Sequence, residues 1–264
     1  MPDLTATLPS ALREKARWLR LGADRVIPVM LVHPTWDEAV PAPVVLWIHG
    51  RTATKETDPG RYLRWMRAGI GACAIDLPGH GERFDSTRQT AATAWKVLKQ
   101  MHDEIDGIVE GLRAVREFDL TRMALGGMSL GGMAVLARLT RPHSFRCATV
   151  EATTGSWARQ KDREMFRNRV VEETRALEPV LHLEHWREIP FQAIHARHDE
   201  WVDFEGQQEF INALRRHYAD QSLIDLVVYD TTGAPHEHIG FGRKAGDAKS
   251  RQTAFLRHRL LESL

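Results

Sequence analysis

Seven short apolar runs, separated by helical stretches, constrain the fold of this chain most strongly. The runs are residues 26–32, 44–49, 71–76, 123–127, 147–151, 191–195 and 223–229. Most have apolar side chains at consecutive positions, as parallel strands do when helices cover both faces of a sheet. Residues 90–116, 203–218 and 245–261 have helical spacing between or after these runs. This order predicts an α/β protein with one open, mostly parallel sheet and helices on both faces.

The segment between the fifth and sixth runs, residues 152–189, is longer and more charged than a simple crossover. We interpret it as a mainly helical insertion, or cap, over one end of the sheet. The alternative is a long crossover helix with additional loops. No linker, repeat or low-complexity segment divides the remaining sequence, so we expect a single domain over residues 1–264.

Residues 123–137 form an uncharged stretch with four glycines, too short and too glycine-rich for a membrane span. The stretch contains Gly-Met-Ser-Leu-Gly at residues 127–131, a G-x-S-x-G motif between an apolar strand and a helix-forming segment. A serine in such a strained turn projects its hydroxyl beyond the sheet edge, and the glycines let strand and helix pass closely. The motif predicts Ser129 as a nucleophile, with the Leu130 backbone N–H directed at a developing oxyanion.

Nucleotide-binding loops are excluded. The same stretch lacks the lysine and hydroxyl residue that complete a phosphate-binding loop, and no G-x-G-x-x-G occurs in the chain.

A serine nucleophile needs a base, and the base needs an orienting acid. In a strand–turn–helix setting the expected chain order is serine, acid, histidine. The loop after residues 191–195 offers Asp199, with Glu200 as a substitute and Asp203 as a third choice. A competing interpretation is that Asp199 only caps the helix that begins near residue 203.

Two histidines follow the last predicted strand on a loop rich in glycine and proline. Such a loop can bring a histidine over the sheet edge to the serine. We prefer His236, directly after Gly-Ala-Pro, and keep His238 as the alternative; both can also be surface histidines.

The loop after residues 44–49 supplies the other half of an oxyanion hole. His-Gly at residues 49–50 permits a tight turn, after which the N–H of Arg51 or Thr52 can face that of Leu130. Two convergent amides of this kind stabilise a tetrahedral oxyanion. The Arg51 side chain can attract an acidic substrate, although a solvated arginine is the simpler interpretation.

Metal and disulfide chemistry are not expected. Cys73 and Cys147 each lie in an apolar run, as reduced core cysteines do. Two histidine pairs have i, i+3 spacing but no evident third metal ligand: His182/His185 and His195/His198.

Taken in order, these motifs resemble those of the α/β-hydrolase superfamily. The resemblance also includes Ile-Asp-Leu-Pro-Gly-His-Gly-Glu-Arg at residues 75–83 and extends from about residue 25 to the C-terminus. It is strongest to single-domain serine esterases similar to dienelactone hydrolases and to the catalytic domain of prolyl oligopeptidases. Dienelactone hydrolases use a cysteine nucleophile where this chain has serine, and 264 residues leave no room for the peptidases' propeller. The resemblance implies an eight-stranded, mostly parallel sheet and these roles: catalytic Ser129, Asp199 and His236, with oxyanion donors Arg51 and Leu130.

We therefore expect hydrolysis of a small carboxylic ester through an acyl-enzyme, without a cofactor. A thioesterase, an amidase or peptidase, and an acyltransferase would use the same residues. A non-catalytic ligand-binding protein on the same scaffold is a further alternative. Three tryptophans, interpreted as a substrate-pocket rim or as ordinary core residues, are Trp157, Trp186 and Trp201.

The composition limits the classes of binding partner that we expect. A net charge of +1 and a pI near 7.9 give no electrostatic reason to expect nucleic acid or an anionic membrane as partner. The N-terminal residues do not have the pattern of a secretory signal, which favours a cytoplasmic location. The sequence does not indicate an oligomeric state.

Overall fold

The computed structural model describes residues 8–24, 26–37, 40–167 and 171–262. Its centre is an eight-stranded sheet with the strand order β1-β2-β4-β3-β5-β6-β7-β8. The strands are β1 (Ala16–Leu21), β2 (Ile27–Val32), β3 (Ala42–Ile48), β4 (Gly71–Ile75), β5 (Phe118–Met128), β6 (Cys147–Glu151), β7 (Phe191–Ala196) and β8 (Ile224–Tyr229).

The sheet is mixed but mostly parallel. β2 pairs antiparallel with both β1 and β4, and every other neighbouring pair is parallel. The predicted α/β fold is confirmed, and all seven apolar runs are strands. The sequence did not predict β1, because this edge strand contains Arg17 and Arg20 between its apolar residues.

Helices cover both faces of the sheet. They are α1 (Ser10–Arg13), α2 (Pro59–Arg67), α3 (Ala94–Leu112), α4 (Leu130–Leu139), α5 (Glu164–Arg167), α6 (Val171–Arg175), α7 (Phe204–His217) and α8 (Ala245–Leu260). The three long predicted helices correspond to α3, α7 and α8. In the described part of residues 152–189, helix is confined to α5, α6 and three short 3₁₀ turns, so a long crossover helix is not observed.

Successive residues of each central strand enter two different cores. In β3, Leu46 and Ile48 pack with α3 and α4, whereas Val45 and Trp47 pack with α2 and α8. Burial on both faces explains why these strands have no polar alternation. Cys73 in β4 is a buried free thiol, as predicted, and so is Cys147 in β6.

The turn from β5 into α4 brings three backbone segments very close together. Ser129 occupies this turn with φ 52° and ψ −120°, a strained conformation for a residue other than glycine. A Cβ on Gly131 would lie only 2.3 Å from the carbonyl oxygen of Ile48 and 2.4 Å from that of His49. A Cβ on Gly127 would lie 2.8 Å from the Gly131 carbonyl carbon. The glycines are therefore required by close passage, and the start of α4 lies against the end of β3.

We expect Gly131→Ala to lower the free energy of unfolding by about 2 to 3 kcal/mol, because backbone must move to admit the methyl group. Urea unfolding followed by circular dichroism measures the change. Gly246→Ala is the matched control: it lies in α8 with nothing within 4 Å of the added Cβ. Its replacement should raise stability by about 0.5 kcal/mol. Equal stabilities for the two variants would contradict the close-passage argument.

Candidate active site

Three side chains far apart in the sequence form one hydrogen-bonded chain. His238 Nε2 lies 3.0 Å from Ser129 Oγ, 109 residues away in sequence. His238 Nδ1 lies 2.7 Å from Asp199 Oδ2. Because a carboxylate can only accept, Nδ1 carries the proton and the Nε2 lone pair accepts from the serine hydroxyl. All three side chains are buried, and the imidazole is oriented to remove a proton from Ser129.

Asp199 lies in the loop after β7 and is held in place by backbone groups. Its Oδ1 accepts the N–H of Trp201 at 2.9 Å and of Val202 at 2.8 Å. Burial by itself would raise the pKa of Asp199, but hydrogen bonds from His195 and His238 outweigh it and lower the pKa to about 2. The acid is therefore a carboxylate throughout the neutral range.

The prediction of His236 as the base is wrong, since His238 occupies that position. His236 is half exposed, and its Nδ1 lies 2.9 Å from the Glu200 carboxylate. Positive φ angles at His236 (56°) and Glu237 (48°) reverse the chain, so the next residue points inward. The Glu237 carboxylate fixes this turn by accepting the N–H groups of Thr232 and Gly233. No spacing rule in the sequence distinguishes two histidines on one irregular loop.

The two substitute acids have other partners. Glu200 pairs with His236 outside the hydrogen-bonded chain. Asp203 caps the N-terminus of α7, where its side chain accepts the N–H of Glu205 at 2.8 Å. The capping role that competed for Asp199 thus belongs to Asp203, four residues further along the chain.

Two backbone N–H groups beside Ser129 are free to bind a ligand oxygen. Gly50 follows β3 and approaches Ser129 so closely that an added Cβ would lie 3.3 Å from the serine Cβ. Leu130 is the first residue of α4. Among the described residues, no hydrogen-bond acceptor is found for the N–H of Arg51 or of Leu130. The Arg51 guanidinium donates to the carbonyl of Gln89 at 2.9 Å.

A buried lysine anchors the loop that carries Gly50 and Arg51. The Lys55 backbone N–H and Nζ each donate to Asp76, both at 2.9 Å. Nζ also pairs with Glu56 at 2.9 Å and Glu82 at 2.7 Å. Burial alone would lower the pKa of Lys55, but the carboxylates raise it, so the ammonium stays charged. The motif at residues 75–83 therefore supports the site, a role that the sequence did not reveal.

A cleft of about 720 Å³ opens above Ser129 and His238. Trp201 lines it, as predicted, and is 36% exposed. The segment 152–189 contributes Met165 to the same cleft. For the other two tryptophans the pocket-rim interpretation is wrong and the core interpretation is correct, because both are core residues. Trp157 packs edge-on against Trp95, and Trp186 packs against Phe191 and Phe210.

The described part of the chain contains no group of three His, Cys, Asp or Glu side chains placed to hold a metal ion. None of its helices combines the length and apolar character needed to cross a membrane.

Comparison with known proteins assigns this chain to a family. A family model for the prolyl oligopeptidase family matches residues 60–262. The chain is 28% identical over 123 residues to Esterase YjfP of Escherichia coli (strain K12), a match covering 46% of this chain and 49% of that relative. The match therefore spans about half the length of that relative.

Two solved structures share the fold. TT1662 from Thermus thermophilus aligns with a TM-score of 0.70 and 22% identity, covering 94% of this chain and 99% of that one. Pyrococcus horikoshii acylaminoacyl peptidase aligns with a TM-score of 0.73 and 18% identity, covering 94% of this chain and 42% of that one. At these identities the likeness concerns the fold alone. The family model matches most of this chain, so the chain belongs to the prolyl oligopeptidase family, and its fold is the α/β-hydrolase fold.

Proposed function

We propose that this protein hydrolyses small carboxylic esters through an acyl-enzyme formed on Ser129. The observation that carries the proposal is the continuous hydrogen-bonded chain from Ser129 Oγ through His238 to Asp199. A serine hydroxyl is a weak nucleophile unless a base removes its proton as it attacks. Here the base is already in contact with the hydroxyl, and its other nitrogen is held by an ionised acid.

Acylation starts when Ser129 Oγ attacks the ester carbonyl and its proton passes to His238 Nε2. The tetrahedral oxyanion is stabilised by the N–H groups of Leu130 and Arg51; one such donor typically contributes about 3 kcal/mol. Asp199 stabilises the imidazolium without accepting its proton. His238 then protonates the leaving alcohol oxygen as the C–O bond breaks, and the acyl group remains on Ser129.

Deacylation repeats these steps with water as the nucleophile. His238 removes a proton from water, the hydroxide oxygen attacks the acyl carbonyl, and the proton returns to Ser129 Oγ as the free acid forms. Every proton transfer uses His238 Nε2, which faces the cleft. The proposed reaction uses the chain's own side chains, two backbone N–H groups and water.

Ester substrates are favoured by the similarity to an esterase and by the form of the cleft. Trp201 and Ile239 leave exposed apolar surface beside His238, where an acyl or aryl group can pack. Peptide or other amide substrates are the second candidate, since the chain belongs to the prolyl oligopeptidase family. Amide cleavage would use the same residues, with His238 protonating an amine.

The deciding experiment compares p-nitrophenyl esters, acyl thioesters and acyl-aminoacyl p-nitroanilides as substrates, with Ser129→Ala as control. We expect turnover of short-chain esters and labelling of the wild-type protein by a fluorophosphonate. Both should be lost in Ser129→Ala, because the variant lacks the hydroxyl that forms the acyl-enzyme. Ester turnover that persists in Ser129→Ala would refute the assignment of the nucleophile. Faster cleavage of the anilides would replace the ester proposal with the amide one.

His238→Ala and His236→Ala form a matched pair on one loop. We expect His238→Ala to lower kcat by about 10⁴-fold or more, as removal of a triad member does. His236→Ala should stay within about 3-fold of wild type, because its imidazole pairs with Glu200 instead. Steady-state kinetics on the best ester distinguish the two. A comparable loss in both variants, or a loss confined to His236→Ala, would contradict the assignment of the base.

A further inference from the structure

A second histidine contacts Asp199, and the mechanism above does not use it. His195 lies in β7 and is 1% exposed. Its Nε2 lies 3.0 Å from the carbonyl oxygen of Val202 and 3.4 Å from Asp199 Oδ2. The same carboxylate oxygen accepts the proton on His238 Nδ1. Asp199 therefore lies between two imidazoles: His195 is in β7, and His238 is on the loop that follows β8.

The surroundings of His195 determine its tautomer. The Val202 carbonyl can only accept, so His195 Nε2 carries the proton and donates it. Asp199 Oδ2 lies near the same N–H as a longer, secondary acceptor. Nδ1 is buried and has no hydrogen-bond partner among the described residues. Protonation there would bury an N–H without an acceptor, which favours a neutral ring with its proton on Nε2.

The bond to Val202 closes the loop that carries the acid. The Val202 N–H donates to Asp199 Oδ1, and the Val202 carbonyl accepts from His195. The Trp201 N–H is a second donor to Oδ1. Both oxygens of Asp199 are thus held by donors from its own loop and strand, in addition to His238. Since β7 is paired on both sides, with β6 and with β8, His195 connects this irregular loop to a hydrogen-bonded strand.

We propose that His195 is a positioning residue, whose Nε2–H fixes the acid loop and directs Asp199 Oδ2 at His238 Nδ1. This inference rests on the proposed function of Ser129, His238 and Asp199. The neutral imidazole holds the carboxylate without neutralising it, so Asp199 keeps its full charge for the imidazolium that forms during catalysis.

The described residues around this cluster include aromatic rings and paired charges. The His195 ring packs edge-on against Phe204, with ring centroids 5.6 Å apart. Trp201 covers His238, with centroids 4.9 Å apart. Glu200 and His236 form their own exposed pair at the mouth of the cleft. Arg163, from the segment 152–189, donates to the Glu200 carbonyl and pairs with Asp203.

Loss of the His195 donor should have two effects. The acid loop loses its link to β7, so the Asp199–His238 geometry loosens and kcat falls while substrate binding is unaffected. Asp199 Oδ2 also loses one hydrogen-bond donor, so the carboxylate stabilises the protonated form of His238 more strongly. The acid limb of the kcat/KM profile, which reports protonation of the base, then moves to higher pH.

The test uses the 264-residue chain with the best ester substrate and three variants. His195→Phe should lower kcat by about 10- to 100-fold with KM within about 2-fold, and move the acid limb up by about half a pH unit. His195→Gln should restore kcat to within about 3-fold of wild type, because its side-chain amide N–H can replace Nε2–H. His102→Phe, at a buried histidine in α3 away from the cleft, should leave kcat and the acid limb unchanged.

The proposal is overturned if His195→Phe retains wild-type kcat and acid limb, or if folded His195→Gln loses as much activity as His195→Phe. A measurement on the wild-type protein stands even if His195→Phe does not fold. Imidazole ¹⁵N chemical shifts should show His195 with a proton on Nε2 at the pH of the kinetic assays, and a ring whose only proton is on Nδ1 would overturn the proposal. Wild-type protein that neither turns over esters nor reacts with a fluorophosphonate would instead refute the proposed function, while the ¹⁵N result would still describe His195.

Discussion

The site depends on one close backbone contact, between the first turn of α4 and the carbonyl ends of β3. No side chain fits there, because a Cβ on Gly131 would lie 2.3 Å from the Ile48 carbonyl oxygen. The contact places Ser129 and the Leu130 N–H directly beside the loop that begins at Gly50. Nucleophile and both candidate oxyanion donors thus come from two neighbouring strands, whose register pairs Ile48 with Gly127. Preorganised donors need no rearrangement during the reaction, which is the source of their strength.

The acid and the base reach the same edge because β5, β7 and β8 are parallel and end on one side of the sheet. Ligand sites of open α/β sheets form at such carboxyl ends. The loops themselves are irregular, so local hydrogen bonds must set the orientation of each side chain. Asp199 is held by the backbone of its own loop and by His195, and the turn before His238 is held by Glu237. The preceding strand sets the position of each site residue, and hydrogen bonds within the loop set the orientation of its side chain.

This division explains what the sequence could predict. Consecutive apolar residues and the motif at residues 127–131 depend on local patterns, so the strands, Ser129 and the loop bearing Asp199 were predictable. The choice between His236 and His238 depends on two positive φ angles and on the hydrogen bonds of the Glu237 carboxylate within the same loop, which residue spacing does not reveal. The burial of a tryptophan likewise depends on tertiary packing. Trp157 and Trp186 lie in the core, whereas Trp201 lines the cleft. The support that Lys55 and Asp76 give to the oxyanion loop also needed three-dimensional contacts.

Charge is arranged differently on the two sides of Ser129. On the oxyanion side, Lys55 is surrounded by the carboxylates of Asp76, Glu56 and Glu82, so no uncompensated cation is provided from beneath the loop. On the base side, Asp199 is a buried anion held by neutral N–H groups and by His238. In the reaction that we propose, backbone dipoles stabilise the developing oxyanion, while a full negative charge stabilises the developing imidazolium. This asymmetry matches the charges that form in acyl transfer. The net charge of +1 therefore gives little information about the substrate. The chemistry depends on the orientation of a few buried charged groups rather than on the number of charges in the chain.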